Sequence, residues 1–366
     1  MMKLTTNRIP GHYDGRRCFV HARACAVDRE RLLMTTQLLD VQGNDAFSGI
    51  FTLHSEDGGE SWSRPVQDPA FAPQDAGNGL IYVPSDAAHL FVRSVGADLC
   101  ACHQVYYEPG GLKPVFGQKR LCTYTTYDFQ RQCYRPIQTV AMPSAFRYGA
   151  AAGSAQFVEN APGEVLIPLY TRVNDWSHML SVVMHCDFDG QTLTLRELGE
   201  PMECSSGRGL YEPSLCRFEG RYFLTLRNDD YGFCTVSRDG LHFEEPRRWT
   251  WDTGEVVPTY NTQQHWLICG GRLYLVYTRR ADTNDHVFRH RAPLFMAQVD
   301  TGRLCLIRET EQIVVPERGA RLGNFGVAQV DENFAFITAA EWMQPAGCER
   351  YGSDNSIFVV AVDGSR

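Results

Sequence analysis

Several short stretches of this 366-residue chain place polar side chains at spacings that could do chemistry. In "CFVHARACAV", His21 and Arg23 stand two apart inside an apolar run, and alternate residues of a strand share a face. In "YNTQQHW", Asn261, Gln263 and His265 repeat that spacing, which is more polar than a packed inner strand needs. "FRHR" sets Arg289 and Arg291 on either side of a histidine, as a solvated loop or as an anion grip. Histidine exchanges protons near neutrality, and the arginine fork matches a carboxylate. The most crowded cluster is Ser55–Trp62, "SEDGGESW", with three carboxylates, two glycines and a tryptophan in eight positions. It reads as a cation loop, as an acid/base pair or as a turn.

The rest of the chain must position these groups. Hydrophobic residues make up 43% and charged residues 21%, a composition able to bury a large core. The net charge is −8 with basic residues scattered, so no nucleic-acid partner is expected, while a few local arginines can still hold a small anion. No run approaches the length of a membrane span, and no membrane partner is expected. The start, "MMKLTTNRIPGHYDG", lacks the apolar core of a signal peptide, and the thirteen cysteines are spread singly in apolar runs. Both features predict reduced thiols and a cytoplasmic protein, with secretion after removal of a leader as the alternative. No metal-ligand spacing occurs, so no metal and no cofactor is expected. The composition is compatible with a homo-oligomer.

Helical periodicity is sparse. Short β-branched and aromatic runs bounded by Gly, Asp and Asn recur instead, among them "GEVLIPLYTR", "GRYFLTLRN", "GRLYLVYTRR" and "ENFAFITAAEW". A small-residue-rich strand, a turn and a strongly hydrophobic strand repeat about six times, opening near Phe19, Gly79, Ala152, Tyr211, Thr262 and Asn324. That repeat length suits four-stranded propeller blades. The expectation is an all-β protein, one six-bladed β-propeller domain spanning 1–366. "KLTTNRI" is expected to add a strand beside "SIFVVAV", joining the two ends of the chain in one blade.

With that architecture, "SEDGGESW" and its weaker copy "SRDGLHF" read as turns, each with a Ser, an Asp two residues on, a Gly and a late aromatic. They resemble the Asp-box, or BNR repeat, of the sialidase-like propellers, where it lies on an outer hairpin away from the active site. "YEPSLCRFEGRYFLTLRNDD" resembles the sialidase pattern in which Glu-Pro opens one strand and Arg closes the next, which implies Glu212 and Arg227. The same resemblance implies Arg291, with Arg289 beside it, as a further clamp arginine. It puts His21 and Arg23 in the place of the blade-one arginine, and Asp45 in "QGNDAFSG", with Asp40 behind it, as the acid/base. The tripeptide Arg8–Pro10 also matches, but it precedes the blade-one strand. The family's nucleophilic tyrosine falls on Asn324 in "RLGNFGVAQV", and an amide cannot form the glycosyl-enzyme bond. Tyr211, Tyr260 and Tyr351 are substitutes outside the pattern.

The resemblance therefore implies a divergent sialidase-like glycoside hydrolase with a carbohydrate partner, removing a terminal acidic sugar, sialic acid-like or uronic. Asp45 would be the acid/base and Glu212 the nucleophile or the base for water. Arg23, Arg227 and Arg291 would hold the carboxylate. The alternatives are a lyase on uronates using Arg with His21, His265 or Tyr260, and a propeller that binds glycans without catalysis.

Overall fold

The alternating runs fold as six antiparallel sheets placed around one axis. The computed structural model describes residues 2–43, 45–146, 149–172 and 178–365, and its sheets form a six-bladed β-propeller. Blade one holds Arg17–Ala26, Leu32–Asp40, Phe47–Ser55 and Val66–Gln67. Blade two is built on Ile81–Val92, Ala97–Tyr107 and Thr123–Asp128, with short edge pieces. In blade three, Ala150–Ala151 and Val158–Ala161 share the inner place beside Glu164–Arg172, followed by Met179–Phe188 and Leu193–Leu198. Blade four comprises Tyr211–Phe218, Arg221–Arg227, Phe233–Ser237 and Arg247–Arg248. Blade five starts with His265–Cys269, Arg272–Tyr277 and Leu294–Asp300. Blade six contains Gly326–Asp331, Phe334–Ala340 and Ile357–Asp363.

The fourth strand of blade six comes from the other end of the chain. Lys3–Ile9 pairs antiparallel with the last strand, from Lys3 opposite Asp363 to Ile9 opposite Ile357. The strand expected from "KLTTNRI" is there, and it closes the ring. Among the described residues no helix is long and apolar enough to cross a membrane, and all thirteen cysteines are free thiols.

The core lies between blades, because each inner sheet face must cover the next blade. Phe223 of blade four and Trp266 and Leu275 of blade five pack with Trp249 and Trp251. Phe336 and Val359 of blade six pack against Phe19, Ala24 and Met34 of blade one. Blade edges are short and polar, as in Val66–Gln67 and Arg247–Arg248, both exposed. Such edges offer little template for pairing with another chain.

One aspartate ends the third strand of every blade and accepts backbone N–H groups of the turn that follows. These are Asp57, Asp128, Asp189, Asp239, Asp300 and Asp363. In blades one and four a serine joins them. Ser55 Oγ donates to Asp57 Oδ1 and accepts from Gly59 N, both at 2.9 Å. Ser237 Oγ does the same with Asp239 and Gly240, again at 2.9 Å. "SEDGGESW" is thus a self-satisfied turn, with Trp62 Nε1 donating to Gly59 O at 3.1 Å, and none of its residues lines the central cavity described below. Ser55→Ala strands the Gly59 N–H. A loss of about 1–2 kcal/mol in urea unfolding is expected, with ligand affinity unchanged.

Candidate functional site

The inner strand of each blade is interrupted at one place. A non-glycine residue there has positive φ: His21 (56°), Asp86 (59°), Ser154 (72°), Glu212 (45°), Asn261 (47°) and Asn324 (66°). In blades one, two and four the pairing register shifts at that same point. Left-handed backbone costs an ordinary residue about 1–2 kcal/mol, and six such residues in equivalent places are typical of a functional site. The kinks put one polar residue at the equivalent place of each blade, and three of them, Asp86, Glu212 and Asn324, line a common cavity. Neighbours in the ring touch. Asn324 Nδ2 donates to His21 Nε2 at 2.9 Å, His21 Nδ1 lies 3.4 Å from Asp86 Oδ1, and Ser154 N donates to Asp86 O at 3.0 Å.

Above this ring opens a cavity of about 390 Å³. Asp86, Glu212 and Asn324 contribute from the ring, and Asp45 joins from the loop of blade one. Among the described residues six arginines line it: Arg120, Arg208, Arg227, Arg289, Arg291 and Arg321. The rest of the wall is largely apolar, with Phe47, Val105, Phe116, Met179 and Trp342, and His103, Tyr170 and Tyr211 complete it.

Glu212 and Arg227 form the central ion pair, Arg227 Nη1 to Glu212 Oε2 at 2.5 Å, and both side chains are largely buried. Burial alone would raise the Glu212 carboxyl, but the Arg227 guanidinium overrides it and holds the group below the usual glutamate value. Asn261 ties two arginines together. Its Oδ1 accepts from Arg227 Nη2 and its backbone O accepts from Arg291 Nη2. Arg321 lies face-on over Trp342, 3.7 Å from the ring centroid, and donates to Gln344 Oε1. The Nε atoms of Arg227, Arg291 and Arg321 are buried and have no partner among the described residues. No protein carboxylate pairs with Arg291 or Arg321 there, although they are only 3% and 5% exposed. Burial, and then the neighbouring arginines, push Arg291 well below its ordinary value. Burial lowers Arg321 to about 9 despite the opposing field of Asp45.

Burial lowers the histidine in the wall, His103, to about 3 and His21 behind it to about 4, which keeps both neutral. His103 Nδ1 has no partner among the described residues. Tyr211 is locked. Its phenol accepts from Arg208 and donates to Asp229, both at 2.7 Å, and burial pushes it up to about 12. Tyr170 accepts from Arg120 at 3.0 Å and is likewise raised to about 12 by burial.

Asp45, Tyr211, Glu212, Arg227, Arg289, Arg291 and Asn324 therefore meet in one cavity. Asp45 is exposed at its rim, where Tyr107 pins the loop by donating to Asp45 O at 2.5 Å and accepting from Phe47 N at 3.0 Å. His21 stands directly behind the wall, its ring 5.0 Å from Phe47 and 5.4 Å from Trp342. Asn261 acts from behind through the arginines.

Besides His21 and Asn261, the expected residues Arg23, Gln263, His265 and Tyr260 do not line the cavity, nor do Asp40 and Tyr351. Arg23 is drawn sideways, because the kink after Val20 turns it toward Asp86 Oδ1 (2.8 Å), Ala87 O (3.0 Å) and Gln263 Oε1 (2.9 Å). Gln263 is thereby occupied as well. His265 bonds Ser214 Oγ at 2.8 Å and packs its ring 4.8 Å from Phe325. Tyr260 bonds His290 Nδ1 at 2.5 Å. The shared face expected for Asn261, Gln263 and His265 does not form, since the strand begins at His265 and Asn261 is kinked. Asp40 pairs with Arg16 at 2.7 Å, and Tyr351 is exposed against His286. Asp86, His103, Tyr170, Arg321 and Trp342 were not singled out from sequence. Asp86 carried a usable signal, a lone charge inside the apolar strand run "YVPSDAAHLF".

No family model matches this sequence, and no curated protein matches it. Solved structures do. A Dyadobacter fermentans protein of unknown function matches with a TM-score of 0.68 at 14% identity, over 98% of this chain and 99% of that one. The Hadza microbial sialidase Hz136 matches with a TM-score of 0.64 at 13% identity, over 94% of this chain and 65% of its own. Trypanosoma rangeli sialidase in complex with the inhibitor DANA matches with a TM-score of 0.60 at 12% identity, over 98% and 59%. The chain thus spans less than two thirds of those sialidase chains. At these identities the likeness establishes the fold, a sialidase-like six-bladed β-propeller.

Proposed function

We propose that the cavity holds the terminal acidic sugar of a glycan and hydrolyses its glycosidic bond. The observation that carries this reading is a pair of buried arginines, Arg291 and Arg321, with no protein carboxylate to compensate them among the described residues. An uncompensated buried charge is costly, and an anionic ligand removes the cost. Four of the six ring residues, His21, Asp86, Ser154 and Asn324, are buried, which supports entry of a chain end from above. This favours exo action.

Arg227 and Arg291, clasped by Asn261, offer their forks to the carboxylate of the sugar. Glu212, kept ionised, serves as base for water, and Asp45 at the rim protonates the leaving oxygen. Asn324 has a buried Oδ1 without a partner among the described residues, an acceptor suited to hold that water. With an amide in the tyrosine place and Tyr211 locked, direct attack by activated water, with inversion, is the step this constellation supports. A neutral His103 with a bare Nδ1, facing the same cavity as Tyr170, favours a second reading, β-elimination from a uronate.

The test is incubation with aryl sialosides, aryl uronides and acidic oligosaccharides, following released sugar together with absorbance of an unsaturated product. Sugar release without absorbance is the expected result. An absorbance rise replaces hydrolysis with elimination, and no turnover or binding on any acidic substrate removes the acidic-sugar reading.

A further inference from the structure

The cavity carries more uncompensated positive charge than one carboxylate neutralises. Arg227 has Glu212 at 2.5 Å and Arg208 has Asp229 at 2.6 Å. Arg291 and Arg321 have no carboxylate partner among the described residues and are almost wholly buried, and each keeps a buried Nε unsatisfied there. Their guanidiniums are also held toward different sides. Arg291 is turned to blades four and five, where Asn261 joins it to Arg227. Arg321 is held by blade six, with the Trp342 ring at 3.7 Å and Gln344 on its Nη2, and by the Phe288 ring of the blade-five loop at 4.8 Å.

A carboxylate is planar and is engaged by one arginine fork or by two adjacent ones. Bound by Arg227 and Arg291, it leaves Arg321 where it was, an unpaired cation in an apolar wall. Asp45 does not cure this. It is solvent-exposed at the rim, where its field is screened, and no ion pair between it and Arg321 forms.

We propose that the ligand bears two anionic groups, a sugar carboxylate on Arg227 and Arg291 and a tetrahedral ester oxyanion, sulfate or phosphate, on Arg321 beside Trp342. This rests on the acidic-sugar reading above and narrows it to a doubly charged sugar acid. A tetrahedral oxyanion presents three acceptor oxygens, so one of them reaches the arginine from several ester positions on the ring. Trp342 supplies the apolar floor that strengthens the contact by excluding water.

Calorimetric titration at one fixed salt concentration tests this, with a hexuronic acid, its mono-O-sulfate isomers and its monophosphate ester. For the wild-type chain at least one ester should bind about tenfold or more tighter than the parent acid, the worth of one charge-assisted hydrogen bond. The isomer and ester preferred identify the second group. Arg321→Gln should erase that advantage, bringing ester and parent acid to within about twofold of each other, and Arg321→Lys should keep part of it. Thermal melting confirms that both variants are folded. Equal binding of ester and parent acid overturns this proposal alone, as does an Arg321→Gln variant that weakens both ligands alike. Binding of neither overturns it together with the acidic-sugar reading.

Discussion

Glu212→Gln is expected to lower turnover by about 10²–10⁴-fold, the usual worth of a positioned acid or base, while acidic ligands still bind. The amide keeps an oxygen that can accept from Arg227, so the geometry of the pair survives and the negative charge does not. Arg227 then stands buried without a counter-ion. Stability should therefore fall, up to the roughly 3–5 kcal/mol that breaking a buried pair costs. The double variant Glu212→Gln/Arg227→Met separates the two effects, because it removes the orphaned charge and should regain stability without regaining turnover. Undiminished turnover in Glu212→Gln removes this residue from the reaction.

The pH dependence follows from the same pair. With its folded pKa below the usual glutamate value, Glu212 contributes stability that is fully present above its unfolded pKa. That contribution is lost as pH falls through the lower, folded value. The acid limb of the rate profile should likewise lie below the ordinary glutamate range. In Glu212→Gln the acid-induced loss of stability should be shallower, which pH-dependent melting reads directly.

Arg291→Met should act in the opposite sense on stability. Affinity for acidic sugars should fall about 30-fold or more, as expected when one partner of a buried charge pair is removed, yet the ligand-free protein should melt no lower than the wild type, with a gain of up to about 1 kcal/mol expected. Methionine fills similar space and takes away a charge that the folded chain does not compensate. The sacrifice is a donor to Asn261 O. A lower melting temperature would mean that the Arg291 charge is compensated after all, and the anion argument would lose its footing. Unchanged affinity would place the ligand elsewhere.

The blades were legible because a strand covered on both faces by neighbouring blades reads as a near-continuous apolar run bounded by turn residues. "GRYFLTLRN" and "ENFAFITAAEW" carry that pattern and become Arg221–Arg227 and Phe334–Ala340. Closure by "KLTTNRI" was expected only as an added edge strand beside "SIFVVAV", and it is there although its residues are mostly polar and partly exposed. The axial ring was not legible, since six left-handed residues interrupt the strands just where the site is made. His21 and Arg23 are two apart in sequence, and across the kink between Val20 and Arg23 both come to Asp86 Oδ1, at 3.4 and 2.8 Å. The other face of His21 meets Asn324, and all of these are contacts with residues more than 60 positions away that no local pattern announces. Asn261 and His265 diverge. Arg321 sits before the strand Gly326–Asp331, outside any periodicity, and its role depends on Trp342, a partner that only the folded ring supplies.

The strand Lys3–Ile9 makes the propeller a hoop fastened by a clasp. The first and last blades meet where Asn324 touches His21, and above that join stand Arg321 and Trp342 from the last blade and Asp45 and Phe47 from the first. A bound sugar acid touching both sides would act as a second fastener. Hydrogen exchange of Lys3–Ile9 should slow when the cavity is filled, although no atom of that strand lines it.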